Sequence, residues 1–154
     1  MSKKIIAAVD EDGGIGKDGG IPWAVSNDLS FFRFMTYGDD VVMGRKTYEN
    51  TPDLEGRRVI ALTRQDRYDA PRVASNIRSV ISHCRTIEDK DLWIGGGRSV
   101  YLQYMGTADE VILSHIPGSY DCDVFFPMEE LEQKYDRIGS FEAQGFTANR
   151  YAKS

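Results

Sequence analysis

The chain has 154 residues, of which 41% are hydrophobic and 28% are charged, and its formal net charge is −5. This length fits a single domain covering residues 1–154, and no apolar run reaches the ~20 residues that a membrane-spanning helix needs. The acidic balance argues against a nucleic-acid-binding surface, because such surfaces carry a dominant basic field. We therefore expect a soluble domain with neither a nucleic-acid nor a membrane partner.

The apolar run Ile5-Ile-Ala-Ala-Val9 is too short for the core of an export signal, so we expect a cytoplasmic protein. Cys84 and Cys122 lack metal-binding spacing and are predicted to be reduced thiols, with no metal site. The small acidic domain favours a monomer.

Short β-branched runs alternate along the chain with stretches of helical period. The predicted strands are Lys4 to Val9, Asp40 to Met43, Val59 to Thr63, Leu92 to Ile94 and Glu110 to Ile116. The predicted helices are Asn27 to Tyr37, Gly44 to Asn50, Ile77 to Arg85 and Arg98 to Met105. This alternation predicts an α/β fold with a mainly parallel sheet and helices on both faces. Tyr135 to Phe141 and Phe146 to Ala152 predict an antiparallel hairpin at one edge.

The first loop, residues 10–23, holds five glycines in fourteen residues, and we call it the lid. Its composition is typical of a segment that opens and closes over a site. Asp28 follows Trp23 by five residues and falls in the first turn of the next predicted helix. A carboxylate there complements the helix dipole, or it binds a flat, nitrogen-rich ring through two parallel hydrogen bonds. The local sequence leaves both interpretations open.

Two predicted strands run straight into glycine and then into a helix, at Val41-Val-Met-Gly-Arg-Lys-Thr-Tyr48 and at Leu92-Trp-Ile-Gly-Gly-Gly-Arg-Ser-Val-Tyr101. Such turns expose backbone N–H groups that bind phosphate oxygens, although a tight structural turn explains either one alone. Two of them in one sheet indicate a dinucleotide. Arg64 at the end of a predicted strand either binds a phosphate on the adenosine ribose, which favours NADPH over NADH, or lies in a surface turn.

These motifs, in this order and spacing, resemble the dihydrofolate reductase family over nearly the whole chain. The matching segments are Ile5-Ile-Ala-Ala-Val9, Ile15-Gly16, Ile21-Pro-Trp23, Asp28-Leu29 with Phe32, Val42-Met-Gly-Arg-Lys-Thr47, Gly56-Arg57, Thr63-Arg64, Gly95-Gly-Gly97 with Tyr101, Ser114-His115 and Asp123 to Pro127. The resemblance implies an eight-stranded sheet and NADPH-dependent reduction of 7,8-dihydrofolate to tetrahydrofolate. It also implies a cis peptide between Gly96 and Gly97.

The resemblance further implies a role for each matching residue. Asp28 would hold the 2-amino group and N3 of the pterin, with Trp23 and Ser114 ordering water around it, and Ile21 and Tyr101 complete the predicted catalytic set. Arg57 would bind the α-carboxylate of the glutamate tail. The predicted substrate-binding residues are Ile6, Ala7, Asp28, Leu29, Phe32, Arg33, Arg57 and Ser114.

The cofactor site implied by the resemblance covers both glycine turns. Ala8, Ile15 and Gly16 would face the nicotinamide, and Thr63 with Arg64 the 2′-phosphate, to which Arg78 is a further candidate. The pyrophosphate would lie against Gly44, Arg45, Lys46, Thr47, Gly96, Gly97, Arg98, Ser99 and Val100. Gly95 and Tyr101 complete the predicted cofactor-binding set. Because three glycines follow one another, either Gly95 or Ile94 supplies the carbonyl that contacts the pterin amino group.

Two alternatives compete with this interpretation. A reductase of the same fold could act on a ribosylated pyrimidine, but the position of Asp28 after Trp23 and the presence of Arg57 suit a pterin with a glutamate tail better. A non-catalytic folate-binding protein could use the same scaffold, but both glycine turns are intact. The sequence therefore favours the dihydrofolate reductase reaction.

Overall fold

The computed structural model describes residues 1–23, 26–52, 54–84 and 90–154, with the side chains of residues 26–28 outside the description. The strands are β1 (Lys3–Val9), β2 (Gly14–Gly16), β3 (Asp40–Gly44), β4 (Arg58–Leu62), β5 (Val73–Ala74), β6 (Leu92–Ile94), β7 (Glu110–His115), β8 (Val124–Phe125), β9 (Tyr135–Ala143) and β10 (Phe146–Lys153). The helices are α1 (Ser26–Thr36), α2 (Arg45–Asn50), α3 (Ile77–Val80), α4 (Arg98–Tyr104) and α5 (Met128–Lys134), with a 3₁₀ helix at Ile81–His83. None of the helices within the described residues has the length and apolar character needed to cross a membrane.

Eight strands form one sheet in the order β5-β4-β3-β6-β1-β7-β10-β9, and β2 pairs separately with β8. All neighbours from β5 to β7 are parallel. The strand β10 runs antiparallel to both β7 and β9, which makes the C-terminal hairpin the edge of the sheet. The predicted mainly parallel sheet with an antiparallel C-terminal hairpin is therefore confirmed.

Helices cover both faces of this sheet, because the central strands alternate apolar side chains between two cores. One core joins Ile6, Val41 and Met43 to aromatic residues of α1. The other joins Ile5 and Val42 to buried residues of α3, α4 and α5. A strand buried on both faces reads as a nearly continuous apolar run, which is the pattern seen in β1, β3 and β6.

The predicted helix from Ile77 to Arg85 is too long. Regular helix ends at Val80 and a 3₁₀ turn follows, while Arg85 lies outside the described residues. Ser82 Oγ donates to the carbonyl of Ser79 at 2.7 Å, and Cys84 Sγ donates to that of Val80 at 3.4 Å. These side chains compete for carbonyl groups that a continuing α-helix would use.

Helix α5 was not predicted, although its sequence carries a start signal. It begins after Pro127 and places Glu129 and Glu130 in its first turn, where they complement the helix dipole.

His115, the last residue of β7, gives the fold a pH dependence. Its Nε2 atom is buried and has no hydrogen-bond partner among the described residues. Burial, with a smaller contribution from the charge of Arg137, lowers the pKa of His115 below its ordinary value of 6.5. As the pH falls, the unfolded chain therefore binds a proton on His115 before the folded chain does. The folded state loses stability as the pH falls below about 6.5.

We expect His115→Gln to flatten this pH dependence, because glutamine does not titrate. Urea unfolding at pH 7.5 and pH 5 should show that the parent loses more free energy of unfolding than the variant over this interval. An equal loss in both proteins would show that His115 does not contribute to the acid sensitivity.

Candidate active site

Three cavities adjoin the edge of the sheet where the parallel strands have their carboxyl ends, the usual place for ligands in such sheets. The inner cavity has a volume of about 200 Å³ and is lined by Ile6, Ala7, Ala8, Ile21, Leu29, Phe31, Phe32, Met43, Thr47, Asn50, Thr51, Pro52, Gly95, Tyr101 and Ser114. The middle cavity, of about 420 Å³, is lined by Ala8, Ile15, Gly16, Lys17, Gly19, Gly20, Ile21, Lys46, Thr47, Asn50, Thr51, Gly95, Gly96, Gly97, Arg98, Tyr101 and Val124. The outer cavity, of about 440 Å³, is lined by Gly44, Arg45, Lys46, Thr47, Leu62, Thr63, Arg64, Ser75, Gly97, Arg98, Ser99, Val100 and Gln103.

The three cavities form one continuous cleft, because neighbouring cavities share lining residues. Ile21, Gly95 and Tyr101 line both the inner and the middle cavity. Lys46 and Arg98 line both the middle and the outer cavity. The cleft therefore passes from apolar and aromatic walls at one end to cationic and hydroxyl groups at the other.

The two predicted glycine turns lie side by side in the middle of this cleft. The N–H of Gly44 donates to the carbonyl of Gly96 at 2.8 Å, and the peptide bond between Gly96 and Gly97 is cis as expected. A Cβ on Gly44 would lie 3.1 Å from Val100 Cγ2, and a Cβ on Gly96 would lie 3.2 Å from Tyr101 Oη. Gly96 also has a φ of +113°, a region that favours glycine. Both turns thus bring bare backbone to the cleft surface, which suits binding of a pyrophosphate.

Cationic side chains surround the outer half of the cleft. Arg45, Lys46, Arg64 and Arg98 all line the outer cavity. Arg45 forms an ion pair with Glu49 at 2.7 Å, and Nη1 of Arg98 donates to the carbonyl of Phe125 at 2.8 Å. This end of the cleft carries the positive charge that a nucleotide with several phosphates requires. Arg78 does not line it, so the structure does not bring that predicted residue to the site.

Most of the predicted substrate residues meet at the inner cavity. The structure brings together there Ile6, Ala7, Ile21, Leu29, Phe32, Tyr101 and Ser114. Ser114 is 1% exposed at the base of the cavity. Tyr101 is also buried and donates through Oη to the carbonyl of Ile6 at 2.9 Å. Asp28 belongs to the first turn of α1, and its side chain lies outside the description.

Trp23 does not line any of the three cavities. It is buried against Ile116, Phe146 and Ala148, and its ring packs edge-on against Tyr120 at a centroid distance of 5.6 Å. The position of this side chain anchors the end of the lid to the C-terminal half of the sheet.

Arg57 lies outside the lining of the inner cavity and is held by α1 and the preceding loop. Its Nε donates to Thr36 Oγ1 at 3.1 Å, its Nη1 to the carbonyl of Glu55 at 2.5 Å, and its Nη2 to the carbonyl of Arg33. These contacts use three of the five guanidinium N–H groups and fix the plane of the guanidinium. The exposed side chain of Arg33 does not line the cavity either.

The lid has a defined hydrogen-bonded conformation, despite its five glycines. Strand β2 pairs with β8, and the N–H of Asp18 donates to Asp123 Oδ2 at 3.0 Å. At the tip, Asn50 Nδ2 donates to the carbonyl of Gly19 at 3.2 Å, which joins the lid to helix α2 across the middle cavity. The lid therefore covers the cleft from one side and is tied down at both its root and its tip.

Several lining residues were not predicted from the sequence. Asn50 and Thr51 follow Thr47 at helical spacing, so the face of α2 that carries Thr47 would have identified them. Phe31 lines the inner cavity beside Phe32 and was not singled out among the aromatic residues of α1. Ser75 reaches the outer cavity at the end of β5, a two-residue strand too short to give a pattern.

A fourth cavity, of about 370 Å³, lies between α1 and the C-terminal hairpin. Its walls are mainly apolar, formed by residues such as Phe34, Ile112 and Phe141. Neither glycine turn contributes to its lining. We therefore place the functional site in the continuous cleft rather than here.

The sheet, the paired glycine turns and the cationic outer cavity define an α/β protein with a nucleotide-type cleft at the carboxyl ends of its parallel strands. The family model for dihydrofolate reductase matches residues 3–153. The chain is 35% identical to a dihydrofolate reductase of Haemophilus influenzae, over 98% of this chain and 94% of that protein. It is 30% identical to one of Mycoplasma genitalium, over 96% of each chain.

Structural comparison agrees. A dihydrofolate reductase from Enterococcus faecalis, solved in complex with NADP(H) and RAB-propyl, superposes with a TM-score of 0.88 and 26% identity, covering 99% of this chain and 96% of that one. The chain belongs to the dihydrofolate reductase family. Its activity is the NADPH-dependent reduction of dihydrofolate to tetrahydrofolate.

We expect Asn50→Ala to weaken retention of NADPH, because it removes the hydrogen bond to the lid tip. A bond of this kind contributes about 0.5–1.5 kcal/mol, so the dissociation rate of NADPH should rise roughly two- to tenfold. Stopped-flow fluorescence of the binary complex measures this rate. Asn50→Asp keeps the size but lacks the donor, and it should weaken retention at least as much as alanine, because its carboxylate faces the carbonyls of Gly19 and Lys46 and adds negative charge beside the cofactor. An unchanged rate in both variants would contradict a role for the tip contact.

Proposed function

We propose that hydride passes from NADPH to C6 of the pterin at the junction of the inner and middle cavities, with a proton added at N5. The observation that carries this proposal is the shared lining of the two cavities by Ile21, Gly95 and Tyr101. Two ligands that fill adjoining cavities meet edge to edge there, and close approach without intervening water is what hydride transfer requires.

The described residues fit a dinucleotide along the middle and outer cavities. Gly44 to Thr47 and Gly96 to Val100 would hold the pyrophosphate, supported by the bare backbone of both turns. Thr63 and Arg64 would bind the 2′-phosphate, since both line the outer cavity. Ala8, Ile15 and Gly16 line the middle cavity, where the nicotinamide would lie. NADPH supplies the hydride when bound.

Dihydrofolate would occupy the inner cavity, with its pterin between the walls formed by Ile6, Ala7, Leu29 and Phe32. The helical spacing of α1 predicts that residue 28 shares a face with residues 31 and 32, which both line this cavity. That spacing supports Asp28 as the carboxylate that holds the 2-amino group and N3.

The proton would reach N5 from water rather than from Asp28 itself. We assign to Asp28 the task of orienting and polarising the ring, so that N5 accepts a proton more readily. The hydroxyl group of Ser114, buried beside the cavity, would hold a water close to this carboxylate. Trp23 would complete the water-ordering set from the end of the lid, where its ring packs on Tyr120 outside the lining of the cavity. Ile21 and Tyr101 would exclude bulk water from the junction.

Arg57 would bind the α-carboxylate of the glutamate tail where that tail leaves the inner cavity. Its guanidinium is already oriented by three hydrogen bonds and stacks over the ring of Tyr37 at 5.3 Å. A guanidinium held in a fixed plane loses little rotational freedom when it binds a carboxylate.

We further propose that residues 1–154 form one domain that acts as a cytoplasmic monomer. The single eight-stranded sheet supports one domain, since β1 near the amino end lies beside β7, and β7 lies beside the C-terminal β10. The two cysteines are both free thiols, which suits a reducing compartment.

We expect Asp28→Asn to lower kcat by about 10²–10³-fold at neutral pH, because the neutral amide no longer favours protonation of the ring. Activity should recover in part as the pH is lowered, since solvent then protonates N5. Loss of NADPH absorbance with dihydrofolate as the substrate measures turnover from pH 5 to pH 9. The exposed Asp66 offers a control, as Asp66→Asn should leave the profile unchanged. An unchanged profile for Asp28→Asn would refute the assigned role.

We expect Arg57→Lys to raise KM for dihydrofolate with little change in kcat, because an ammonium cannot reproduce the bidentate contact. Hydrogen bonds to a charged group contribute about 1.5–3 kcal/mol, so the increase should be roughly 10- to 150-fold. The melting temperature must be measured in parallel, because Arg57 also binds Thr36 and two carbonyl groups. A reduced pterin without a glutamate tail should be turned over equally by the parent and the variant. If the variant also fails on that compound, Arg57 does not bind the tail selectively.

A further inference from the structure

We propose that Asp10 is a positioning residue whose single carboxylate clamps the lid to the loop at residues 116–123, and thereby holds Ile15 and Gly16 against the nicotinamide half of the cleft. This inference rests on the proposed function, because it assigns to the clamp the retention of NADPH at that site.

The two oxygens of Asp10 serve different loops. Asp10 directly follows β1 and is 2% exposed. Its Oδ1 accepts hydrogen bonds from the N–H of Gly14 at 2.8 Å and of Asp12 at 2.9 Å, both at the root of the lid. Its Oδ2 accepts from the N–H of Tyr120 at 3.0 Å and from Cys122 Sγ at 3.5 Å, both in the other loop. One buried group therefore joins segments that lie about 110 residues apart in the sequence.

The donor count explains why the residue is a carboxylate. Four donors converge on Asp10, and only a carboxylate offers two oxygens that both accept. Burial raises the pKa of Asp10, but the bonds from Gly14, Tyr120 and Asp12, with that from Cys122, outweigh this effect and lower it. The group is therefore ionised at neutral pH. Separation of the two loops would leave a buried charge with half of its partners, which is unfavourable.

The packing of the two loops gives a second, independent observation. A Cβ built on Gly14 would lie 2.3 Å from Cβ of Cys122 and 2.5 Å from its Sγ. The lid root and the facing loop thus touch so closely that only glycine fits at position 14. The close packing of Gly14 against Cys122 and the four hydrogen bonds to Asp10 hold the same two loops together.

The clamp lies immediately before the residues that it would position. Gly14 is followed by Ile15 and Gly16, which line the middle cavity. Ile21 is the one residue of the lid that lines the inner cavity. A change at Asp10 should therefore affect the cofactor far more than the substrate, and this selectivity distinguishes positioning from general stability.

The test is Asp10→Asn, which keeps the shape but turns one oxygen into an N–H donor that faces the N–H groups of a loop. We expect the dissociation rate of NADPH from the binary complex to rise about tenfold or more, as loss of a bond to a charged group predicts. Single-turnover hydride transfer should slow. The dissociation constant for dihydrofolate alone should stay within about twofold of the parent value, because Ile21 is the one lid residue that lines its cavity. Asp121→Asn is the matched control, since Asp121 is exposed in the same loop and its φ of 52° suits asparagine.

A second pair of variants keeps the proposal testable if Asp10→Asn does not fold. Gly14→Ala should produce the same selective loss of NADPH retention, because its Cβ pushes the two loops apart. Adding Cys122→Gly to that variant should restore part of the retention, because it removes the atoms that the new Cβ would meet but also removes the hydrogen bond from Cys122 Sγ to Asp10.

The clamp is overturned if the variants weaken NADPH and dihydrofolate equally, or if they lower only the melting temperature. NADPH dissociation is read in the binary complex and needs no turnover. A parent protein that binds NADPH but does not oxidise it with dihydrofolate would contradict the proposed function. The effect of the clamp on NADPH dissociation could still be measured in that protein.

Discussion

The parallel pairing of β1 between β6 and β7 is the constraint on which the rest of the molecule depends. Parallel neighbours point their carboxyl ends to the same edge, so the segments that follow β1, β3, β4 and β6 must meet there. The lid follows β1, one glycine turn ends β3, and the other follows β6. The hydrogen bond from Gly44 to Gly96 shows how close two turns come when their strands, β3 and β6, are adjacent in the sheet although two other strands separate them in sequence. The cleft is thus a product of strand order.

The chemistry of the cleft changes along its length because different faces of the fold supply its walls. Apolar residues of β1 and α1 enclose the inner end, where removing a flat ring from water is favourable. Backbone N–H groups and cationic side chains surround the outer end, where hydrogen bonds and positive charge would stabilise phosphate groups. Tyr101 stands at the junction, buried and tied to the carbonyl of Ile6. The cleft therefore has one apolar end and one cationic end.

Much of this arrangement could be predicted from the sequence, because it depends on local patterns. Strands buried on both faces give apolar runs, and a glycine after such a run marks a turn beside the sheet. The features that were missed depend on contacts between distant residues or on short elements. Asp10 looked like an ordinary polar residue at the start of a loop, and nothing local to it indicates Tyr120 as a partner. The premature end of α3 depends on side-chain competition for carbonyl groups, which a helical period does not reveal.

The contact between Gly14 and Cys122 restricts how this chain can change over evolutionary time. A side chain at position 14 is excluded while Cys122 keeps its present size, because the two Cβ atoms would overlap. Position 122 must therefore lose its Cβ, which only glycine achieves, before position 14 can gain one, and the reverse order passes through a poorly packed intermediate. Two sites more than 100 residues apart are in this way bound to a fixed order of substitution, and lineages that carry a side chain at position 14 should also differ at position 122.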